Sequence, residues 1–245
     1  MRLLLFLFFV INVQAQSWTR LSDFPGERRD DGVAVLLNNR FYAGTGLKDW
    51  WIPATDFYAL NLSTYTWEKI PDLPADAERQ YASAFTGPDC FYVFGGDGGT
   101  VRKDLWKYNA LNEQWTAMSA KPGSGLSAAV CMQFSNGIIF AGGKTGASGP
   151  CSKEVWRYDS DNDAWTQLND FPFEPVWRAS AAVINNTGYM LFGINDSGVY
   201  SKKMFSYNPV NDSWAQLTDF PGPGRAYAAL RSNNQQLVLF GGHET

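Results

Sequence analysis

The sequence is poor in the residues that most enzymes use for proton transfer and metal ligation. Among 245 residues there is one histidine, His243, near the end of the chain, and there are three cysteines. Serine and cysteine triads need a positioned imidazole as base, and this inventory does not supply one. No CxxC pair and no Cys/His cluster is present, so no metal and no cofactor is expected. Charge is sparse as well, at 18% of residues. No basic run interrupts an acidic balance, which argues against nucleic acid as a partner. Long apolar runs are missing except at the start, where Arg2 precedes Leu3 to Ile11 and Val13-Gln14-Ala15 follows. That run is shorter than the ~20 residues a bilayer crossing requires. It reads as a signal peptide over residues 1–15 with small residues at the cleavage positions. The mature chain, residues 16–245, is therefore expected to be secreted (periplasmic, cell-surface or extracellular), monomeric and without membrane insertion.

Three cysteines cannot all pair within one chain. Cys90 sits in an apolar run, Cys131 among small and apolar residues, and Cys151 in a Gly-rich loop. A Cys131–Cys151 bridge and three idle thiols both remain open at this level.

What the chain has in abundance is aromatic residues, at 16%, and glycine, with 23 copies. The pairing points to many short strands and tight turns. Internal repetition organises them. Trp18, Trp67, Trp115, Trp165 and Trp214 recur at steps of 49, 48, 50 and 49. Each is followed three residues later by an apolar residue and seven residues later by a proline: Pro25, Pro74, Pro122, Pro172 and Pro221. A period near 50 marks units that bury their faces against their neighbours.

Within each unit four short strands are expected, named a to d. Strand a is rich in small residues (Gly32 to Val35, Ala82 to Phe85, Ala128 to Val130, Ala181 to Val183, Ala228 to Leu230). Strand b is apolar and runs into glycine at Gly46, Gly96, Gly143, Gly193 and Gly242. Strand c carries Tyr58, Trp106, Trp156 or Phe205, with Tyr108, Tyr158 and Tyr207 two residues further on, and strand d carries the repeated Trp. Small residues suit the crowded centre of a ring, and large aromatics fill the widening wedge between its units. The fold class is all-β, a propeller of four-stranded antiparallel blades.

The apolar run ending in Gly-Gly, then an aromatic, then Trp seven residues after the second aromatic, resembles the kelch motif over residues 18–242. The chain is similar to secreted bacterial kelch proteins, to the central propeller of galactose oxidase and to the sugar-acid epimerases that share it. Thr45 before Gly46, Ile194 after Gly193 and Leu60 in place of a Tyr depart from that motif. The resemblance implies six or seven blades, and about five repeats are present. With Trp18 as a lone strand d and the chain stopping before a fifth strand c, the ring is expected to be incomplete at its C-terminal end.

Antiparallel alternation puts the d–a and b–c connections on one face of the ring. Four arginines, Arg29, Arg79, Arg178 and Arg225, stand just before strand a, with Gly125 read at the corresponding place in the third unit. They admit two roles: bracing between loops, or anion capture around the mouth of the axial channel. Trp50, Trp51 and Trp177 fall outside the repeat on the same face, either packed between loops or offered as plates for sugar rings. Asp56, Asp104 and Glu154 precede strand c at matching positions, a set that Lys203 breaks, and are turn or inter-blade partners. Asp159 to Asp163 imitates a calcium loop but lacks the glycine at its sixth position.

The functional expectation is a ligand-binding or interaction module that takes a glycan or an acidic protein or peptide on the Arg/Trp face. The alternatives are a sugar-acid epimerase or mutarotase, which the resemblance implies, and a non-catalytic surface scaffold. The copper chemistry of galactose oxidase requires histidine ligands that this chain lacks. An epimerase would require an Arg–Glu pair, for which Arg79, Glu78, Glu27 and Glu174 are the candidates.

Overall fold

A computed structural model describes residues 19–233 and 235–244. The expected signal peptide and Trp18 lie outside those residues. Among the described residues, no helix is long and apolar enough to cross a membrane.

Four complete antiparallel blades follow one another along the chain. The first has strands Val33–Leu37, Arg40–Gly44, Phe57–Asn61 and Thr66–Ile70. The second has Ser83–Gly87, Cys90–Phe94, Leu105–Asn109 and Gln114–Met118. The third has Val130–Phe134, Gly137–Ala141, Val155–Asp159 and Ala164–Gln167. The fourth has Ser180–Ile184, Thr187–Leu191, Met204–Asn208 and Ser213–Gln216. Each pairs its strands in the order a-b-c-d. A fifth unit contributes two strands, Ala229–Ser232 and Leu237–Phe240.

The a strands of all five units line an axial cavity of about 450 Å³, with Ala34, Ala84, Cys131, Ala182 and Arg231 on its wall. The cores lie between blades. Tyr42 and Phe57 of the first blade, for example, are buried with Phe91 and Tyr108 of the second. The repeated Trp stands opposite the strand c aromatic in register, as Tyr108↔Trp115, Tyr158↔Trp165 and Tyr207↔Trp214.

The repeated Trp also reaches sideways. The indole N–H of Trp115 donates to the Pro71 carbonyl (2.8 Å) and that of Trp165 to the Ser119 carbonyl (2.7 Å), each on the preceding blade. Asp163 accepts from its own blade's Tyr158 hydroxyl (2.8 Å) and from the Ser119 amide (2.9 Å), closing the same seam. Asp212 repeats this with Tyr207 and Asn169. Asp159 accepts from the amides of Asp161 and Asn162. The calcium-like segment is thus a hairpin turn and an inter-blade clasp.

The glycine latch corrects one detail of the sequence reading. Strand b ends before the glycines, and the second member of each pair donates its amide to the next blade. Gly46 bonds the Arg79 carbonyl, Gly96 that of Leu126, Gly143 that of Val176 and Gly193 that of Arg225 (2.8–3.0 Å). In the fourth blade the pair is therefore Phe192-Gly193, and Ile194 lies beyond it. All these positions have left-handed φ, including Thr45 (56°) and Phe192 (70°) at the first member. Glycine is favoured because such φ values strain other residues. The cysteines are free thiols, and burial pushes Cys131 up to about 12.

Candidate functional site

The latch fixes which residues are equivalent, and the four arginines divide. Arg29, Arg79, Leu126, Val176 and Arg225 stand four residues before strand a. Arg178 is two residues later, in the set Asp31, Tyr81, Ala128, Arg178 and Tyr227. Sequence spacing had placed it with the other three.

The first set braces the blades. Arg29 forms a bidentate pair with Asp56, both contacts at 2.7 Å, and its side chain is 8% exposed. Arg79 is fully buried, grips Asp104 at 2.7 and 3.1 Å, and donates to the Ala77 and Gly95 carbonyls. Arg225 donates to the Gly241 carbonyl at 3.1 Å and lies over Phe192 and Phe220. The donors of Arg29 and Arg79 engaged in this way are not available to a ligand, whereas Arg225 has this one hydrogen bond and, among the described residues, a buried Nε without a partner. The exceptions in the set are compensated. Leu126 cannot meet Glu154, and buried Lys121 does so instead at 2.9 Å. Val176 has no charge to neutralise, and Lys203 replaces the carboxylate in that blade.

The second set forms the mouth of the channel. Its members have φ of 54–58°. Their backbones join in a chain around the axis: Tyr81 N–H donates to the Asp31 carbonyl, Ala128 to Tyr81, Arg178 to Ala128 and Tyr227 to Arg178 (2.8–3.2 Å). This frame brings together side chains from four blades. The Arg178 guanidinium lies 3.7 Å from the Trp177 ring centroid, 4.3 Å from that of Tyr227 and 4.6 Å from that of Tyr81. Its Nη2 donates to the Tyr81 hydroxyl. Its Nε is buried without a partner, and it forms no ion pair among the described residues. Lys144 lies 4.7 Å over the other part of this cluster, the Trp177 ring. Burial lifts the Asp31 carboxyl above its ordinary range, against the opposing influence of Tyr81 and Arg178. Burial likewise raises the Tyr81 and Tyr227 hydroxyls, which stay protonated at neutral pH.

Sequence reading found Arg178 and Trp177 but missed Asp31, Tyr81, Tyr227 and Lys144. The available signal for Asp31, Tyr81 and Tyr227 was their shared place two residues before strand a; Lys144, after strand b of the third blade, carried no such signal. The Glu residues considered as partners are occupied elsewhere: Glu78 by Arg102, Glu27 by Lys48 and Glu174 by Asn195.

Trp50 and Trp51 occupy a separate position. Arg29–Asp30, Leu47–Lys48 and Ile52–Pro53 form a small three-stranded sheet on the same face. The two tryptophans sit at the tip of its hairpin, 89% and 84% exposed. Both have left-handed φ, 66° and 60°, a conformation that costs a non-glycine residue about 1–2 kcal/mol.

Three comparisons place the chain among known proteins. Residues 79–242 match the KLHDC2/KLHL20/DRC7 Kelch-repeats domain. Human Kelch-like protein 35 is 26% identical over 133 residues, 54% of this chain and 22% of that protein. N-acetylneuraminate epimerase of Salmonella typhi is 30% identical over 106 residues, 40% of this chain and 26% of that enzyme. The matched region thus spans about a quarter of the length of these curated relatives. The solved structure of YjhT superposes with a TM-score of 0.81 at 17% identity, covering 94% of this chain and 82% of that one.

Proposed function

The chain belongs to the Kelch-repeat family, and from that premise we propose that it is a secreted recognition module whose channel mouth holds an acidic ligand. The observation that carries this reading is Arg178. Its charge is stacked among three rings, held by one neutral hydroxyl, and left without an ion-pair partner among the described residues. A partly buried guanidinium that shares the Trp177 ring with Lys144 favours a carboxylate, which supplies a counter-charge. Acidic sugars and acidic peptides share that group. Trp177, Tyr81 and Tyr227 supply apolar faces beside it.

The test is a thermal-shift and calorimetric screen against N-acetylneuraminate, galacturonate, lactose and a hexa-aspartate peptide. A shift with an acidic probe but not with lactose, abolished in Arg178→Ala, is the expected result. Equal behaviour of wild type and Arg178→Ala toward every acidic probe overturns the reading and leaves a scaffold.

A second reading, a sugar-acid epimerase, is favoured by one feature. Asp31 is a carboxyl of raised proton affinity on the same mouth as Arg178, and an acid–base group beside an anion holder is what ring opening of a sugar acid requires. Proton NMR of anomeric equilibration of N-acetylneuraminate, with wild type and Asp31→Asn, checks it. An unaccelerated wild type removes this reading without affecting binding.

A further inference from the structure

We propose that the Trp50–Trp51 hairpin is a stacking platform for the rings of a neutral oligosaccharide, distinct from the Arg178 mouth. Two adjacent indoles this exposed carry apolar surface whose unfavourable hydration a covering ligand would relieve. Nothing in their local backbone would choose them, since both adopt a left-handed φ that glycine or asparagine would occupy more easily. Strain of this kind, kept at a protruding tip, is the pattern of a ligand clamp.

The hairpin beneath them is stiff. Its stem is paired through Leu47↔Pro53 and Lys48↔Ile52, and the sheet extends to Arg29 and Asp30. Arg29 in turn is fastened to Asp56. The indoles are therefore presented by a fixed base, which limits the ordering cost of binding. An open surface groove of about 460 Å³ lies against them, lined by Arg28, Arg29, Asp30, Leu47, Lys48 and Asp49. That size falls in the range of small-ligand sites.

The charge pattern selects the occupant. Arg28 pairs with Asp49 at 3.0 Å and Lys48 with Glu27 at 3.2 Å. Each cation at the rim carries its own anion and Asp30 adds one further carboxylate, so the rim offers donors and acceptors with no cation left over. An anionic membrane surface would call for unpaired cations beside the aromatics. An acidic ligand would call for the same. A pyranose presents an apolar C–H face to an indole and hydroxyls at its edge to such a polar rim. Two adjacent plates suit a chain of sugars better than a single ring.

The test uses the chain lacking residues 1–15. Cellohexaose, chitohexaose, laminarihexaose, mannohexaose and maltohexaose are titrated by calorimetry and by saturation-transfer NMR. One of these is expected to bind, and Trp50→Ala and Trp51→Ala are each expected to weaken it about tenfold, the effect of losing one well-stacked ring. Arg178→Ala should leave the affinity unchanged, which separates this platform from the acidic site whichever of the two fails. Thermal melts check that the variants fold, and an exposed tip predicts no loss of Tm. Absence of binding by wild type to every oligosaccharide at millimolar concentration overturns the proposal. So does binding that both alanine variants retain. Sedimentation with phosphatidylcholine/phosphatidylserine vesicles that depends on Trp50 and Trp51 overturns it in favour of a membrane contact.

Discussion

Arg178 of the fourth blade donates Nη2 to the hydroxyl of Tyr81 in the second, although 97 residues separate them. The contact crosses the channel mouth rather than a blade seam, so it ties two blades that are not neighbours. The same guanidinium lies 4.6 Å from the Tyr81 ring centroid. Tyr81 thus offers two separable interactions, a hydroxyl and a ring face.

Tyr81→Phe removes the hydroxyl and keeps the face. It is expected to lower stability by about 1 kcal/mol and to weaken an acidic ligand less than tenfold. Tyr81→Ala removes both and should weaken the ligand more. Calorimetry on the pair of variants reads the difference, and equal losses in the two would show that the ring face contributes nothing.

Arg79 and Asp104 form a blade brace in which the Arg79 side chain is fully buried. Arg79→Met strands a carboxylate in a partly buried site and should destabilise by about 3 kcal/mol. Replacing Asp104 with Leu as well removes the stranded charge and should recover much of that loss. Chemical denaturation of the single and double variants decides it. A double variant no more stable than the single would show that the pair acts through something other than charge.

Acid should loosen the braces. Burial alone would raise the Asp104 carboxyl, but the hydrogen bonds and charge of Arg79 and the Trp106 indole outweigh it and hold the group below its ordinary range. Asp56, paired with Arg29, and Glu154, paired with Lys121 and Trp156, shift the same way. A depressed folded pKa gives stability that is present above the unfolded value, about 4, and lost as pH falls through the folded one. Melting temperature should therefore drop below about pH 4, with a shallower drop in Asp104→Asn. Asp31 has the opposite sign, because its folded pKa is raised. Its ionisation weakens the fold as pH rises through the unfolded value, so Asp31→Asn should melt higher than wild type at neutral pH. Parallel acid slopes for wild type and Asp104→Asn would refute the first expectation, and an unchanged or lower neutral Tm the second.

Thr45 holds the first glycine position of the latch with a φ of 56° and a buried hydroxyl that has no partner among the described residues. Thr45→Gly relieves both and adds only unfolded-state entropy against them. A gain of about 1 kcal/mol is expected. Gly96→Ala is the inverse case, since a Cβ there would meet the Gln80 carbonyl oxygen at 2.5 Å with φ at 92°. It should destabilise by about 2 kcal/mol or more. Urea denaturation measures both, and a loss in Thr45→Gly would mean that the threonine packs better than its hydroxyl suggests.

The blades were legible because each is a local event. Strands a to d of one unit lie within 50 residues, and their pattern of small, apolar and aromatic residues repeats. The Arg–Asp braces were half legible, since Asp56, Asp104 and Glu154 recur at one position, but of their partners only two, Arg29 and Arg79, did so. Lys121 substitutes for an arginine from a different place in its blade. A nearby Gly125 and Arg178 also blurred the register, because inter-blade hydrogen bonds define equivalence and one or two residues of slack in a loop hide it.

By itself the sequence determined the fold class, the order of strands, the small-residue lining of the axis and the face on which charge and spare aromatics gather. These follow from residue size and alternation, which act between near neighbours. Only the tertiary structure decided which arginine faces the channel. Arg29 and Arg79 meet carboxylates of their own blades, and Arg178 meets Tyr81, Trp177 and Tyr227 from three blades. That convergence depends on closing the units around an axis, a distance relation between residues far apart in the chain that no local pattern encodes.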